Sequence, residues 1–328
     1  MTTDPRSCSA LTRQAGVPLA GTAPLARTWL VLEQPGPYGR KALHDSHLPR
    51  QVGEALAAAT GPTPVTVVLA RSAGRHHADV QNRPAHRFWI AHVAPGGARM
   101  RSGVVADLAD LLGGDLADVM ERAGRGELPA WGTRTTEPVL LVCTNGRRDV
   151  CCALSGRPVA GELAADPRYA GQVMEVSHLG GHRFAPTALL LPTGMAYGRL
   201  TADAARAAID AAREDRVALD AARGLSALSR PMQAADLAVR AHAEVRRTAD
   251  IELLRRSPVG KLAHAALGWD GDGADTVDVV ARHDDGRCWL VPLTRTWGGA
   301  STPASCGKEP ATASWWDAGD PQPLPAWR

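Results

Sequence analysis

The chain has 328 residues, room for two or three domains, with 45% apolar residues and a formal net charge of +3. A charge that small on a chain this size leaves no electrostatic footprint for nucleic acid, and no apolar run reaches the ~18 residues that a membrane span needs. Residues 1–25 are mixed and polar rather than leader-like, so a soluble, cytoplasmic protein is the expectation.

In chain order, Thr28 to Glu33 (TWLVLE) reads as a buried strand that runs into the turn PGPYGR. Residues 48–60 fit a helix, 64–70 and 86–93 fit strands, and 103–122 fit a helix interrupted at Gly113-Gly114. The order then repeats. Residues 138–143 (PVLLVC) form a strand and 152–164 a helix whose start Pro158 delays. Strands follow at 172–177 and 187–191, and a helix runs from the N-cap Thr201 to about Glu214. Each half reads β-α-β-β-α, the element order of a thioredoxin-like domain, and PYGRKAL at 37–43 faintly echoes GRRDVCCAL at 146–154.

Beyond Gly224 the pattern changes to one helix over 231–255. An alternating stretch follows over 275–293, with its hairpin turn at Asp284-Asp285-Gly286, and then a tail rich in Gly, Pro, Ser and Trp. The expected architecture is an α/β protein with two thioredoxin-like units in tandem and a C-terminal α+β appendix. Its divisions are an N-terminal segment 1–27, a unit without ligands at 28–134, a ligand-bearing unit at 135–224, and the appendix at 225–328.

Six cysteines at irregular spacing are too sparse for a disulfide framework, and in a reducing compartment clustered cysteines point to metal or redox chemistry. One segment, Cys143-Thr-Asn-Gly-Arg-Arg-Asp-Val-Cys151-Cys152, leaves a strand, loops and enters a helix. Another, Ser177-His178-Leu-Gly-Gly-His182-Arg183, leaves the next strand. In a thioredoxin-like fold both loops emerge at one edge of the sheet, so two thiols and two imidazoles meet there. Thiolates suit Fe–S clusters and zinc, and imidazole suits iron, zinc and copper. Gly180-Gly181 permits the tight bend that lets both histidines face one metal, and glycine amides can donate to cluster sulfides. Two cysteines and two histidines divided between two irons is the Rieske arrangement.

The same residues carry a family resemblance. Cys143 and Cys152 with GRRD between them, HLGGHRFA at 178–185 and PTGMAYGRL at 192–200 resemble the sucrase/ferredoxin-like family. Weaker matches are VLEQPGPYG at 31–39, RGLSALSRPMQAAD at 223–236 and SCGK at 305–308. The resemblance implies a thioredoxin-like ferredoxin with one [2Fe–2S] cluster, Cys143 and Cys152 on one iron, His178 and His182 on the other. It also implies one-electron transfer rather than transformation of a substrate. Cys151 beside Cys152 leaves a C-x7-C pairing open, and the family spacing favours Cys152. No carboxylate pair sits in a sugar-hydrolysis setting, and no G-x-G-x-x-G fingerprint marks a nicotinamide site, so the electrons come from an unnamed redox partner.

Two other readings stand beside this one. A Cys2His2 set also makes a structural zinc site in a binding or scaffold protein, although here H-x3-H leaves a strand rather than lying on a helix. A thioredoxin-like thiol oxidoreductase needs C-x-x-C, where this chain has adjacent cysteines. Cys8, Cys288 and Cys306 lack metal-ligand spacing and read as ordinary thiols. His76-His77 read as a solvated loop. Arg147, Arg148 and Arg183 flank the ligands on an arginine-rich background.

Overall fold

The computed structural model describes residues 5–74, 85–95, 97–257 and 259–325; the His76-His77 pair falls outside them. The elements, in chain order, begin with α1 (Cys8–Gln14), β1 (Thr28–Glu33), α2 (Ala42–Asp45), α3 (Arg50–Thr60), β2 (Val65–Ser72), β3 (His86–His92), β4 (Arg99–Val105), α4 (Leu116–Gly124) and β5 (Thr133–Arg134). Next come β6 (Val139–Cys143), α5 (Val150–Ala165), β7 (Val173–Val176), β8 (Ala188–Leu191), β9 (Met195–Tyr197), α6 (Ala202–Arg213), β10 (Ala222–Leu225) and α7 (Arg230–His242). The last part holds β11 (Ile251–Arg256), β12 (Leu262–Ala263), β13 (Thr276–His283), β14 (Cys288–Pro303), β15 (Pro310–Ala318) and β16 (Gln322–Leu324).

Ten strands make one mixed sheet in the order β10-β9-β8-β6-β7-β2-β1-β3-β4-β5. Its centre is built from strands buried along their whole length, TWLVLE in β1 with the apolar run Trp29 to Leu32 and VLLVC in β6, as strands covered on both faces require. The pairing pattern occurs twice. β1 runs parallel to β2 and antiparallel to β3, which pairs with β4; β6 runs parallel to β7 and antiparallel to β8, which pairs with β9. The halves join where β2 meets β7 antiparallel, through only Ala70↔Val176, Arg71↔Glu175 and Ser72↔Met174. Because only the C-terminal ends of these strands overlap, the loop after β1 lies against the loop after β6.

Alternation along the strands separates two faces. Leu30, Leu32, Leu69 and Ile90 pack under α3 and α4 with Val52, Leu56 and Met120. Leu140 and Val142 pack under α5 and α6 with Ala160, Leu163, Ala205 and Ile209. The opposite face is one cluster across both halves, with Trp29, Val31, Val68, Ala70, Val139, Leu141, Met174 and Val176. The N-terminal segment covers it with Cys8, Ala23 and Ala26, and the later loops add Leu179, Ala185 and Ala227. A second, six-stranded sheet, β12-β11-β13-β14-β15 with β16 on β14, packs through Val279, Ala281, Trp289 and Val291 into the cluster that holds Met232, Ala235 and Val239 of α7. Among the described residues no helix is long and apolar enough to cross a membrane.

Several elements differ from the sequence-based expectation. Each half adds two strands to β-α-β-β-α, namely β4 and β5 in the first and β9 and β10 in the second. Residues 103–105 close β4 rather than open a helix. Gly103 lies against the Phe88 ring, where a Cβ would stand 2.8 Å from ring carbons, and this close pairing fixes the hairpin. A 3-10 turn capped by Asp107, Leu108–Leu112, ends at Gly113-Gly114, the expected point of interruption, and α4 follows from the Asp115 cap. Pro158 lies inside α5 rather than before it. The carbonyl that its missing N–H leaves without a helical partner belongs to Leu154, which is exposed and can turn to water. The helix expected over 231–255 stops at His242. Glu244 takes a left-handed φ of 56°, and Ile251–Arg256 becomes a strand on β13.

Candidate metal centre

β6 and β7 are parallel neighbours with Cys143 opposite Val176, so the loops that leave their C-terminal ends start side by side. Out of β6, Asn145 holds the turn by accepting from the Arg147 amide at 3.2 Å, and Asp149 caps α5 by accepting from the Cys151 amide at 3.0 Å. This places Cys151 and Cys152 on the first turn of α5, about 100° apart around the helix axis. Out of β7, Gly180 and Gly181 both take left-handed φ, 80° and 75°, and fold His182 back towards His178 in a short 3-10 turn, His182–Phe184.

Cys143, Cys152 and His182 come together, their ligand atoms all within 4.8 Å of one another, and all three are buried. The Cys152 Sγ lies 3.2 Å from His182 Nδ1. His178 stacks on His182 at 4.6 Å between ring centroids, and its Nδ1 is buried without a hydrogen-bond partner. Hydrogen bonds from Cys152 and then His178 hold the Cys143 thiol well below its usual range, against burial. Cys152 is correspondingly pushed up by that bond to Cys143 and by burial. Burial, then the charge of His178, hold His182 below the ordinary imidazole range, so at neutral pH it presents a lone pair. A thiolate and a neutral imidazole are the forms in which these side chains bind a soft metal.

Cys151 points elsewhere. Its Sγ lies 3.5 Å from Cys8 and 3.1 Å from Cys306, away from the histidines. Cys288, by contrast, only approaches the Gly286 carbonyl, at 3.8 Å. Of the flanking arginines, Arg148 donates to the Arg40 carbonyl at 2.9 Å and Arg183 lies over the Phe184 ring.

Arg223 is the residue at this centre that sequence reasoning missed. It is 2% exposed, donates to the Thr22 carbonyl, to Thr22 Oγ1 at 3.1 Å and to the Gly180 carbonyl at 3.3 Å, and fills the space where a Cβ on Gly181 would go. Burial, reinforced by Arg183 and Arg230, holds it down to about 9. A positive charge here faces the two thiols and props the glycine turn. The segment RGLSALSRPMQAAD contains it, but a single arginine in an arginine-rich chain gives no signal of burial.

A family model described as sucrase/ferredoxin-like matches residues 19–224. The chain belongs to the sucrase/ferredoxin-like family. No curated protein and no solved structure matches it. The sucrase/ferredoxin-like segment takes in both halves of the ten-stranded sheet, with Cys143, Cys151, Cys152, His178 and His182. Cys8, α7 and the six-stranded sheet with Cys306 lie outside it.

Proposed function

We propose that this sucrase/ferredoxin-like chain is an electron-transfer protein whose second half holds one [2Fe–2S] cluster on Cys143, Cys152, His178 and His182. The observation that carries the reading is the buried meeting of Cys143, Cys152 and His182 at the ends of adjacent parallel strands, with the half-buried His178 stacked on His182 and its Nδ1 unpartnered. The donor set suits the group: two soft thiolates for one iron, two imidazoles for the other. A bound cluster supplies one-electron redox chemistry, at a potential raised by two neutral ligands relative to four thiolates. The chain's own residues orient and shield. Gly180 and Gly181 turn the histidines inward, Arg223 holds that turn, and the loop after β1 covers Asn145 and Arg148 through the carbonyls of Gly39 and Arg40.

We further read each half of the sheet as a thioredoxin-like unit, because each has a parallel strand pair flanked by two antiparallel strands with its helices on one face. The first half, residues 28–134, holds no cysteine and serves as the ligand-free copy. The expected setting is the cytoplasm, with a separate redox partner and neither nucleic acid nor membrane.

One observation favours a second reading. Cys143, Cys152 and His182 already lie at the mutual spacing of ligands to a single tetrahedral ion, as in a structural Cys2His2 zinc site. The visible spectrum of the purified full-length protein, with iron, zinc and acid-labile sulfide per chain, separates the two. A red-brown protein with two irons and two sulfides is expected. A colourless protein whose zinc leaves with Cys143→Ser overturns the cluster.

A further inference from the structure

We propose a second metal site, independent of the first, in which Cys8, Cys151 and Cys306 bind a zinc ion with Asp149 as fourth ligand. The three thiols form a nearly equilateral triangle, with Sγ separations of 3.5 Å (Cys8–Cys151), 3.1 Å (Cys151–Cys306) and 3.5 Å (Cys8–Cys306). The Asp149 carboxylate stands beside it, 3.7 and 3.9 Å from the Cys8 sulfur. Cys8, Cys151 and Asp149 are buried, Cys306 partly so.

These residues reach one point from three separate parts of the chain. Cys8 opens α1, Cys151 lies on the first turn of α5, and Cys306 sits in the turn between β14 and β15. Thiols are weak donors and weak acceptors, so a ring of three gives little in return for burial against a carboxylate. A disulfide would take two of the three and strand the last. A tetrahedral ion uses all of them. With Zn–S bonds of about 2.3 Å, sulfurs around zinc stand roughly 3.7 Å apart, so the triangle need open by about 0.2 Å on two sides and about 0.6 Å on the Cys151–Cys306 side.

The carboxylate is already oriented. Its Oδ2 accepts from the Ser305 hydroxyl and the Cys306 amide, both at 2.9 Å, and its Oδ1 from the Cys151 amide at 3.0 Å. Such bonds fix a ligand's direction and tune its basicity. A cavity of about 300 Å³, walled by Ser7, Val150, Leu154, Pro303 and Gly307, leads to the thiols and gives the ion a way in. Binding converts three S–H bonds to three Zn–S bonds and adds one Zn–O bond. The three protons leave to solvent, and no electron moves.

Four protein ligands and no open position make the site structural rather than catalytic. Zinc there ties α1 and the β14–β15 turn to the start of α5, one residue from Cys152. The site thus links the terminal parts of the chain to the helix that carries a proposed cluster ligand.

The test is zinc and iron per chain in full-length protein purified without added metal, for wild type and for Cys8→Ser, Cys306→Ser and Cys143→Ser. One zinc per chain is expected in wild type. Cys8→Ser and Cys306→Ser should each lose it and keep the visible spectrum, which also reports that they fold. Cys143→Ser should lose iron and keep zinc. A wild type without stoichiometric zinc, or zinc retained in both Cys8→Ser and Cys306→Ser, overturns the proposal. So does zinc that departs only with Cys143→Ser, which places it at the other centre. If both variants lose colour as well, zinc binding to metal-stripped wild type decides. Uptake of one Zn²⁺ that protects Cys8 and Cys306 from alkylation is expected, and failure to protect them sinks the site.

Discussion

Adjacent cysteines with different duties turn on the geometry of one helical turn. Cys152 faces His182 while Cys151 faces Cys8 and Cys306, because successive residues at the start of α5 point about 100° apart. Cys143→Ser or Cys152→Ser should therefore abolish the visible chromophore, since a hydroxyl is a poor ligand for iron, while Cys151→Ser should keep it. Iron content and absorbance of the three variants check this, and a colourless Cys151→Ser beside a coloured Cys152→Ser would reverse the assignment. The glycine turn offers a second comparison. Both Gly180 and Gly181 hold left-handed φ, which costs an alanine about 1–2 kcal/mol. A Cβ on Gly180 meets open space, whereas one on Gly181 strikes the buried Arg223 guanidinium. Gly181→Ala should thus lower iron content far more than Gly180→Ala, and equal loss would mean that Arg223 gives way. The four metal-binding candidates were legible because each pair lies within one short segment. The triangle was not, since 143 residues separate Cys8 from Cys151 and 155 separate Cys151 from Cys306, and no local period connects them.

At the scale of elements, α7 shows how a buried charge ends a helix that its sequence would continue. The apolar pattern runs on past His242, yet the chain turns away, because Arg240 reaches over the helix end to the carbonyls of Arg247 at 2.7 Å and Thr248 at 3.1 Å. Its own charge is met by Asp236 one turn back, at 2.9 Å, with both side chains essentially out of water. Removing one partner of such a pair leaves an uncompensated buried charge, so Asp236→Ala should cost about 3–5 kcal/mol. The loss should appear as a lower midpoint in chemical denaturation, and a loss of under about 1 kcal/mol would show that the carbonyls alone satisfy Arg240. Periodicity could not reveal this, because Asp236 and Arg240 four residues apart look like an ordinary surface pair. The central strands were legible for the opposite reason. Trp29 to Leu32 of β1 and PVLLVC around β6 are apolar without a break, and only a strand covered on both faces calls for that. The short β9 and the glycine-bearing β4 lack such a run, and hairpin pairing with the strands before them, β8 and β3, defines them.

For the whole molecule, the seam between the two halves decides whether the candidate centre can stand alone. Three residue pairs join β2 to β7, a small contact for sheets of this size. It is reinforced by Arg71, whose guanidinium reaches Glu175 at 2.5 Å, by Thr144 Oγ1 donating to the same carboxylate at 2.9 Å, and by Tyr38 Oη donating to the Glu175 carbonyl at 3.1 Å. Glu175 is 7% exposed and lies one residue from the end of β7, beside the strand end where Cys143 sits. A chain that begins at residue 135 loses Arg71 and Tyr38 together, so it must bury or hydrate a carboxylate that has kept only Thr144. It also bares the apolar edge of β7 and uncovers the loop that Gly39 and Arg40 screen. Such a fragment should aggregate and hold less iron than the full chain. Comparing a single with a charge-balanced double change at the seam isolates the electrostatic part: Arg71→Met in the full chain should keep the fold's apolar contacts yet destabilise it, and Arg71→Met with Glu175→Gln should recover most of the loss, since no unpaired charge then remains. Size-exclusion chromatography with iron analysis tests the fragment, and denaturation of the single and double variants tests the pair. A monomeric, fully loaded fragment starting at residue 135 would show that the second half needs nothing from the first, and the doubled pairing pattern would then be ancestry without present structural necessity.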